Sequence, residues 1–144
     1  MNVEAYPRVD VITLTWNQRE DTLACLESLS QLTYPNHRLI LVDNGSTDGT
    51  VDAVRARFPQ VDLVVNEKNL GFQGGFNAGL RRSLASGADF VFVMNNDTSV
   101  QPDILDELIK YAEPPDVGML SPKIYYAFEP DRIWSVGGDC HPVT

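Results

Sequence analysis

The 144-residue chain has an ordinary globular composition, with 43% hydrophobic and 22% charged residues and a net charge of −9. This length fits one domain with its own core, so we predict a single domain over residues 1–144. The acidic surface excludes nucleic acid as an expected partner, because phosphates repel negative charge.

Apolar strand-like runs alternate with segments of helical periodicity along the first hundred residues. The predicted strands are Val9–Trp16, Arg38–Asp43, Val61–Val65 and Phe90–Met94. The last run is uniformly apolar, so we expect it at the centre of the sheet. This alternation is typical of a mostly parallel sheet with helices on both faces. We therefore predict a three-layer α/β/α fold of the Rossmann-like type.

The segments between these strands predict three helices. Asn17 is expected to cap the first helix, in which Cys25 is a buried thiol among leucines. A turn rich in capping residues precedes the second helix. The third helix follows a glycine-rich loop, and Phe76, Leu80 and Leu84 are expected to form its apolar face.

A less regular pattern follows the fourth strand. Pro102 is expected at the first position of a fourth helix, and Val117–Leu120, Lys123–Tyr126 and Ile133–Val136 are predicted as further strands. No closing element follows Gly137, so we expect the chain to be part of a longer protein.

No run of the chain approaches the roughly 20 apolar residues that a membrane span needs, and no signal peptide is recognisable. We expect a cytoplasmic protein, either free or peripheral at the inner face of the membrane.

Polar or glycine-rich segments follow each of the four strands. Ligands of open α/β sheets bind beyond the carboxyl ends of the strands, so these segments are expected to converge on one site. They are Thr15-Trp16-Asn17, Asp43-Asn44-Gly45, Asn66–Gly75 and Asn95-Asn96-Asp97.

Three of these segments offer groups that suit a nucleotide. The Asp43 carboxylate can accept a hydrogen bond from a base N–H or a ribose hydroxyl, or it can cap the following helix. Trp16 can stack on a base or pack in the core. The loop Gly71–Gly75 can bring backbone amides to a phosphate, or it can be a plain loop, since it matches neither the dinucleotide fingerprint nor the P-loop.

The segment Asn95-Asn96-Asp97 places two amides and one carboxylate after an apolar strand. Oxygen ligands of this kind suit Mg²⁺ or Mn²⁺ rather than zinc. The alternative is an Asx turn that leads toward Pro102. We expect the divalent metal to be held by Asp97 together with ligand phosphates.

From about Val9 to Val136 the chain resembles the family-2 inverting glycosyltransferases, which have the GT-A fold. The likeness rests on Thr15-Trp16-Asn17, the block Leu41–Thr50, the stretch Asn69–Gly79 and Asn95–Thr98; the Asn-Asn-Asp form is similar to the rhamnosyltransferase-like branch. The resemblance implies one metal ligand, Asp97, and a set of nucleotide-binding residues: Thr15, Trp16, Asn17, Asp43, Asn69, Gly71, Asn77 and Asn96.

The implied reaction is inverting transfer of a sugar from a UDP- or dTDP-linked donor to a hydroxyl of a glycan or a lipid-linked acceptor, with Mg²⁺ or Mn²⁺ at the diphosphate. Asn95 replaces the first aspartate of the family's D-x-D motif, which puts the strength of metal binding in doubt. The family's general base is expected beyond Thr144, and Asp139 is a weaker candidate for it.

Two alternatives stay open at this point. A sugar-phosphate nucleotidyltransferase would need a glycine-rich phosphate loop after the first strand, where this chain has Trp16–Arg19. A non-catalytic module that binds a nucleotide sugar would need no general base. We expect this chain to supply the donor-binding half of the enzyme.

Overall fold

A computed structural model of the chain describes residues 6–112, 114 and 116–137. Its contacts divide the chain into two units, Met1–Pro102 and Asp103–Thr144. The predicted single domain over residues 1–144 therefore stays a prediction, and each unit is described by itself. The elements of the first unit are β1 (Val9–Thr15), α1 (Arg19–Leu29), β2 (His37–Asp43), α2 (Thr50–Arg57), β3 (Asp62–Val65), α3 (Gly71–Ala85) and β4 (Phe90–Asn95).

The four strands form one parallel sheet in the order β3-β2-β1-β4. The connections from β1 to β2 and from β2 to β3 run toward one edge of the sheet, whereas the connection from β3 to β4 runs toward the other edge. Since crossovers between parallel strands are right-handed, this reversal places α3 on the face opposite α1 and α2. This is the predicted three-layer α/β/α fold. β4 is the edge strand of these four rather than a central one, so that prediction is wrong; β1 and β2, both buried, form the centre.

The strand register brings the carboxyl ends together. Thr15 at the end of β1 is paired with Asp43 at the end of β2, and Asp43 is also paired with Val65 at the end of β3. On the other side of β1, Leu14 is paired with Asn95 at the end of β4. The four polar segments thus leave the sheet along one edge.

Helix α3 packs closely on the central strands through small residues. A Cβ on Gly79 would lie 2.6 Å from Cγ2 of Ile12 and 2.9 Å from Cγ2 of Val42, so only glycine permits this approach. Phe76 is buried in the same cluster, but Leu84 is 72% exposed. The predicted apolar face of this helix is therefore wrong at Leu84, because small residues take the positions that face the sheet.

One carboxylate caps two helices. Asp48 accepts hydrogen bonds from the backbone N–H of Arg19 at 3.1 Å and of Thr50 at 3.1 Å, at the starts of α1 and α2. Hydrogen bonds, first that of the Thr50 hydroxyl, lower the pKa of Asp48. The prediction that Asn17 caps α1 is wrong: Gln18 precedes the helix, and Asn17 has a φ of +53°.

A buried ion pair joins the strands at the opposite edge of the sheet. Asp10 is fully buried, and its Oδ2 accepts a hydrogen bond from Nη2 of Arg38 at 2.5 Å. Burial raises the pKa of Asp10, but the Arg38 hydrogen bond and nearby positive charge outweigh it and hold this pKa below its usual value. Arg38 also bonds Asp62, so three strands are tied together at their amino ends.

The second unit contains α4 (Ile104–Ala112), β5 (Ile124–Tyr126) and β6 (Glu129–Ser135), the two strands forming an antiparallel hairpin. The helix begins two residues after Pro102, and the predicted strand Val117–Leu120 is irregular chain instead. No helix within the described residues has both the length and the apolar character to cross a bilayer.

Candidate functional site

A cleft of about 680 Å³ opens at the carboxyl edge of the sheet, entirely within the first unit. Its volume lies within the range of about 300–1,000 Å³ that small-molecule sites occupy. The lining residues come from the ends of three strands and the start of α3: Leu14, Thr15, Trp16, Asn17, Gln18, Asn44, Asn69, Gly71, Phe72, Asn95, Asn96 and Asp97.

Most of the predicted site residues meet in this cleft, and two do not. Asp43 is fully buried and is absent from the lining, although its neighbours Thr15 and Asn44 contribute to it. Asn77 is exposed on α3, more than one turn beyond Gly71. Asp139 lies outside the described residues.

Two aromatic rings line the cleft. Trp16 is 51% exposed, so of its two alternatives the structure favours an accessible ring over core packing. Phe72 is 65% exposed, and its ring contacts the buried Phe76 edge-to-face at 4.7 Å between centroids. No role was predicted for Phe72, which the structure places in the lining of the cleft.

The loop after β1 is tied to the loop after β2. The backbone N–H of Asn17 donates to Oγ of Ser46 at 2.9 Å, and the Asn17 side chain accepts from the backbone N–H of Thr47 at 2.8 Å. The left-handed backbone of Asn17, which asparagine tolerates better than most residues, allows both bonds. The chain beside Trp16 is thereby held in place.

The two carboxylate oxygens of Asp43 have different surroundings. Oδ1 accepts hydrogen bonds from the backbone N–H of Gly45 at 3.1 Å and of Ser46 at 2.9 Å, which closes a turn with Gly45 at a φ of +83°. Oδ2 is buried without a hydrogen-bond partner among the described residues. One oxygen thus serves the turn, and the other is an unused buried acceptor.

Asn44 belongs to the predicted polar segment after β2, although no separate role was predicted for its side chain. It is only 2% exposed. Its Nδ2 donates to Oδ1 of Asn69 at 2.9 Å and to the carbonyl of Gly71 at 3.2 Å. Its Oδ1 accepts from Nδ2 of Asn66 at 3.1 Å and from the backbone N–H of Leu70 at 3.0 Å. One side chain therefore fixes the loop that leads into α3.

The turn after β4 is held from behind. Asn96 is buried, and its Nδ2 donates to Oγ1 of Thr22 at 3.0 Å and to Oγ1 of Thr15 at 3.4 Å. Asp97 is exposed beside it in the cleft. The Cys25 thiol lies 3.9 Å from the Asn95 carbonyl, and burial raises the pKa of Cys25 to about 11, as expected of an unreactive core thiol.

The described residues contain no group of three His, Cys, Asp or Glu side chains that could hold a metal ion by themselves. Asp97 is the one carboxylate among the residues that line the cleft, and the Asn95 and Asn96 amides adjoin it. A single carboxylate fits Mg²⁺ or Mn²⁺ only if the ligand supplies further oxygens, as phosphates do.

The family model "Glycosyl transferase family 2" matches residues 10–138. An N-acetylglucosaminyl-diphospho-decaprenol L-rhamnosyltransferase of Mycobacterium tuberculosis is 33% identical over 123 residues, which cover 79% of this chain and 40% of the relative. The galactofuranosyltransferase GlfT1 of the same species is 31% identical over 81% of this chain and 40% of its own length. The chain thus spans about two fifths of the length of these curated relatives.

Solved structures of glycosyltransferases share the fold of this chain. The mannosyltransferase PcManGT from Pyrobaculum calidifontis, in complex with GDP-Man and Mn²⁺, superposes with a TM-score of 0.67 at 27% identity over 80% of this chain and 35% of that one. S. aureus TarS 1-349 in complex with UDP-GlcNAc gives a TM-score of 0.64 at 20% identity over 82% of this chain and 40% of that one. The second likeness concerns the fold alone.

Proposed function

Because the chain belongs to glycosyl transferase family 2, we propose that it forms the donor-binding half of a glycosyltransferase. The reaction is transfer of a sugar from a nucleoside-diphosphate sugar to an acceptor hydroxyl with inversion. The observation that carries the proposal is the cleft itself, where an exposed ring, amide-rich loops and a single carboxylate meet at the carboxyl edge of the sheet.

The base is assigned to the region of Trp16 and Asp43. The accessible Trp16 ring offers a stacking surface. The buried Oδ2 of Asp43 lacks a donor, and a base would reach it through a local shift of the neighbouring lining residues Thr15 and Asn44. Uracil, thymine and guanine each carry a ring N–H that can supply one. The proposed donors are sugars linked to nucleoside diphosphates with these bases, with UDP and dTDP as the first choices. GDP is a further candidate because the PcManGT structure contains GDP-Man.

The diphosphate is assigned to the start of α3. Asn69 and Gly71 line the cleft there, and the amino end of this 15-residue helix carries positive partial charge that favours an anion. The contacts of Asn44 hold this loop in one conformation. The loop therefore loses its conformational entropy when the chain folds, and little more is lost when a ligand binds.

A divalent metal is assigned to Asp97, shared with the diphosphate. When bound, Mg²⁺ or Mn²⁺ supplies positive charge that offsets the charge developing on the leaving diphosphate. Asp97 would bind it through a carboxylate oxygen, with Asn95 and Asn96 adjoining. The chain has a net charge of −9, so this local positive charge matters for binding an anionic ligand.

The acceptor is proposed to be a hydroxyl of a glycan or of a lipid-linked sugar. The printed name of the mycobacterial rhamnosyltransferase, which includes a diphospho-decaprenol, supports the second class. An inverting transfer also needs a general base within hydrogen-bond reach of that hydroxyl. Asp97, the one cleft carboxylate, is assigned to the metal, so Asp139 or a residue elsewhere in the protein is proposed for this role.

Calorimetry of the chain with UDP, dTDP and GDP, each with and without Mn²⁺, tests donor binding. We expect at least one of the three nucleotides to bind, and Mn²⁺ to increase its affinity. ADP is the matched control, because it has the same diphosphate but its adenine has no ring N–H at the corresponding edge. Failure of all three nucleotides to bind, or equal binding of ADP, would contradict the proposed donor site.

A further inference from the structure

A buried cluster of two hydroxyls and one amide lies behind the cleft. Oγ1 of Thr22, a fully buried residue of α1, is 2.7 Å from Oγ1 of Thr15 and 3.0 Å from Nδ2 of Asn96. Thr22 does not line the cleft, whereas Thr15 and Asn96 do. The cluster therefore joins α1 to the end of β1 and to the turn after β4.

The proton positions in this cluster follow from counting donors. Thr22 has one hydroxyl proton, and it goes to the Gln18 carbonyl at 2.6 Å. Thr22 Oγ1 must then accept from both of its other neighbours, so the Thr15 hydroxyl donates to it. Thr15 in turn has no proton left for Asn96 and accepts from Nδ2 at 3.4 Å.

This count fixes the Asn96 amide in one orientation. A flipped amide would bring Oδ1 against two hydroxyl oxygens whose protons are already committed to the Gln18 carbonyl and to Thr22. Buried acceptors facing each other without a proton are unfavourable. The Thr22 hydroxyl therefore determines how Asn96 sits, and Asn96 immediately precedes Asp97 in a tight turn.

We propose that Thr22 is a positioning residue for the turn Asn95–Asp97, and that it sets the metal-dependent part of nucleotide binding through Asn96. The inference rests on the proposed function, which assigns the metal to Asp97. Loss of a group that hydrogen-bonds a metal ligand typically changes metal affinity by about 10–100-fold, and because Thr22 acts one residue further away, through Asn96, we expect the lower end of that range. Without the Thr22 hydroxyl, Asn96 has no acceptor at its closest contact, and the Asp97 carboxylate loses its fixed placement.

The test compares three variants of the full chain. Thr22→Val keeps the shape of the side chain and removes the hydroxyl, whereas Thr22→Ser keeps the hydroxyl. Thr13→Val is the control for loss of a buried threonine hydroxyl, because Thr13 is a buried residue of β1 and its side chain is not among the hydrogen-bond partners of Thr22 and Asn96. The measured quantity is the ratio of nucleotide Kd without Mn²⁺ to Kd with Mn²⁺, for UDP, dTDP and GDP, alongside thermal melting.

We expect Thr22→Val to reduce this ratio by about tenfold, and Thr22→Ser and Thr13→Val to leave it within about twofold of the wild-type value. A Thr22→Val ratio equal to that of the wild type would refute the inference and leave the proposed function intact. Equal loss in Thr22→Ser would also refute it, since the hydroxyl would not be the cause.

The remaining outcomes also decide the question. If Thr22→Val fails to fold, Thr22→Ala is measured in its place; failure of both would show that the hydroxyl supports the fold rather than the turn, and would overturn the inference. A wild-type chain that binds a nucleotide without any gain from Mn²⁺ would overturn it as well. A wild-type chain that binds none of the three nucleotides would overturn the proposed function, and the inference with it.

Discussion

Substitution of Asp43 separates the two roles that its oxygens suggest. Asp43→Asn can keep an oxygen at the Oδ1 position, where it accepts from the N–H groups of Gly45 and Ser46. The amide nitrogen then takes the place of the unpartnered Oδ2. The turn is retained, while the buried acceptor that we assign to the base becomes a donor.

The expected magnitudes follow from these contacts. A hydrogen bond to a charged group contributes about 1.5–3 kcal/mol, so loss of the bond from the base to Asp43 should raise the nucleotide Kd about 10- to 100-fold. Asp43→Ala should lose this bond and the two turn bonds as well, which lowers the free energy of unfolding by about 3 kcal/mol or more. Asp43→Asn should therefore bind nucleotide as poorly as Asp43→Ala but unfold less readily.

Calorimetry with UDP and dTDP, with and without Mn²⁺, measures the first effect, and urea denaturation measures the second. The expected loss of affinity is the same in both metal conditions, because β1 separates Asp43, at the end of β2, from Asp97, after β4. Asp52→Asn, which removes an exposed carboxylate on α2, is the control for net charge. An unchanged Kd for every nucleotide that binds the wild type would refute the assignment of Asp43 to the base.

Three further predictions concern other parts of the site. Asp97→Asn, at an exposed position, should abolish the Mn²⁺-induced gain in nucleotide affinity without a change in melting temperature; a persisting gain in calorimetry would exclude Asp97 as the ligand. Nucleotide should quench tryptophan fluorescence in Trp134→Phe but not in Trp16→Phe, and quenching that survives in Trp16→Phe would place the base elsewhere. Gly75→Ala, whose Cβ would overlap a side chain of β1, should lower the free energy of unfolding by about 1–3 kcal/mol in urea, whereas Gly118→Ala, which meets open space, should stay within about 0.5 kcal/mol.

The sequence predicted the elements whose pattern is local. The apolar runs of β1 and β2 are buried on both faces, and their polar ends, Thr15 and Asp43, are paired at the carboxyl edge of the sheet as predicted. The structure places the predicted segments after β1, β2, β3 and β4 on one edge because parallel strands all end there. The fold class and the location of the cleft were therefore accessible from hydrophobic pattern and turn chemistry alone.

Errors arose where an element's environment depends on distant partners. The run Phe90–Met94 is as apolar as a central strand, but among the described strands it pairs with β1 alone. Val117–Leu120 is mostly apolar and has no partner strand in the described part of the chain. Leu84 has the right helical spacing, yet Gly79 and Ser83 face the sheet in its place. Local patterns contain no information about which neighbour is present.

The roles of buried polar residues could not be predicted from the sequence either. Asn44 bonds residues 22 to 27 positions away, and Thr22 bonds a residue 74 positions away. Neither belongs to a pattern that predicts such a contact, because a lone threonine on a helix or an asparagine after a strand is common. Their function becomes visible only when the hydrogen-bond partners of each atom are counted.

That count also shows which atoms the fold leaves without a partner. The turn uses Oδ1 of Asp43 and leaves Oδ2, an acceptor, which is why we propose that it binds a base N–H. Asn69 uses Oδ1 to accept from Asn44 and from the N–H of Gly71, which leaves its Nδ2, a donor, and donors suit phosphate oxygens. Sequence motifs can indicate the residues of a site, but the polarity of the ligand groups follows from the atoms that the fold has not already used.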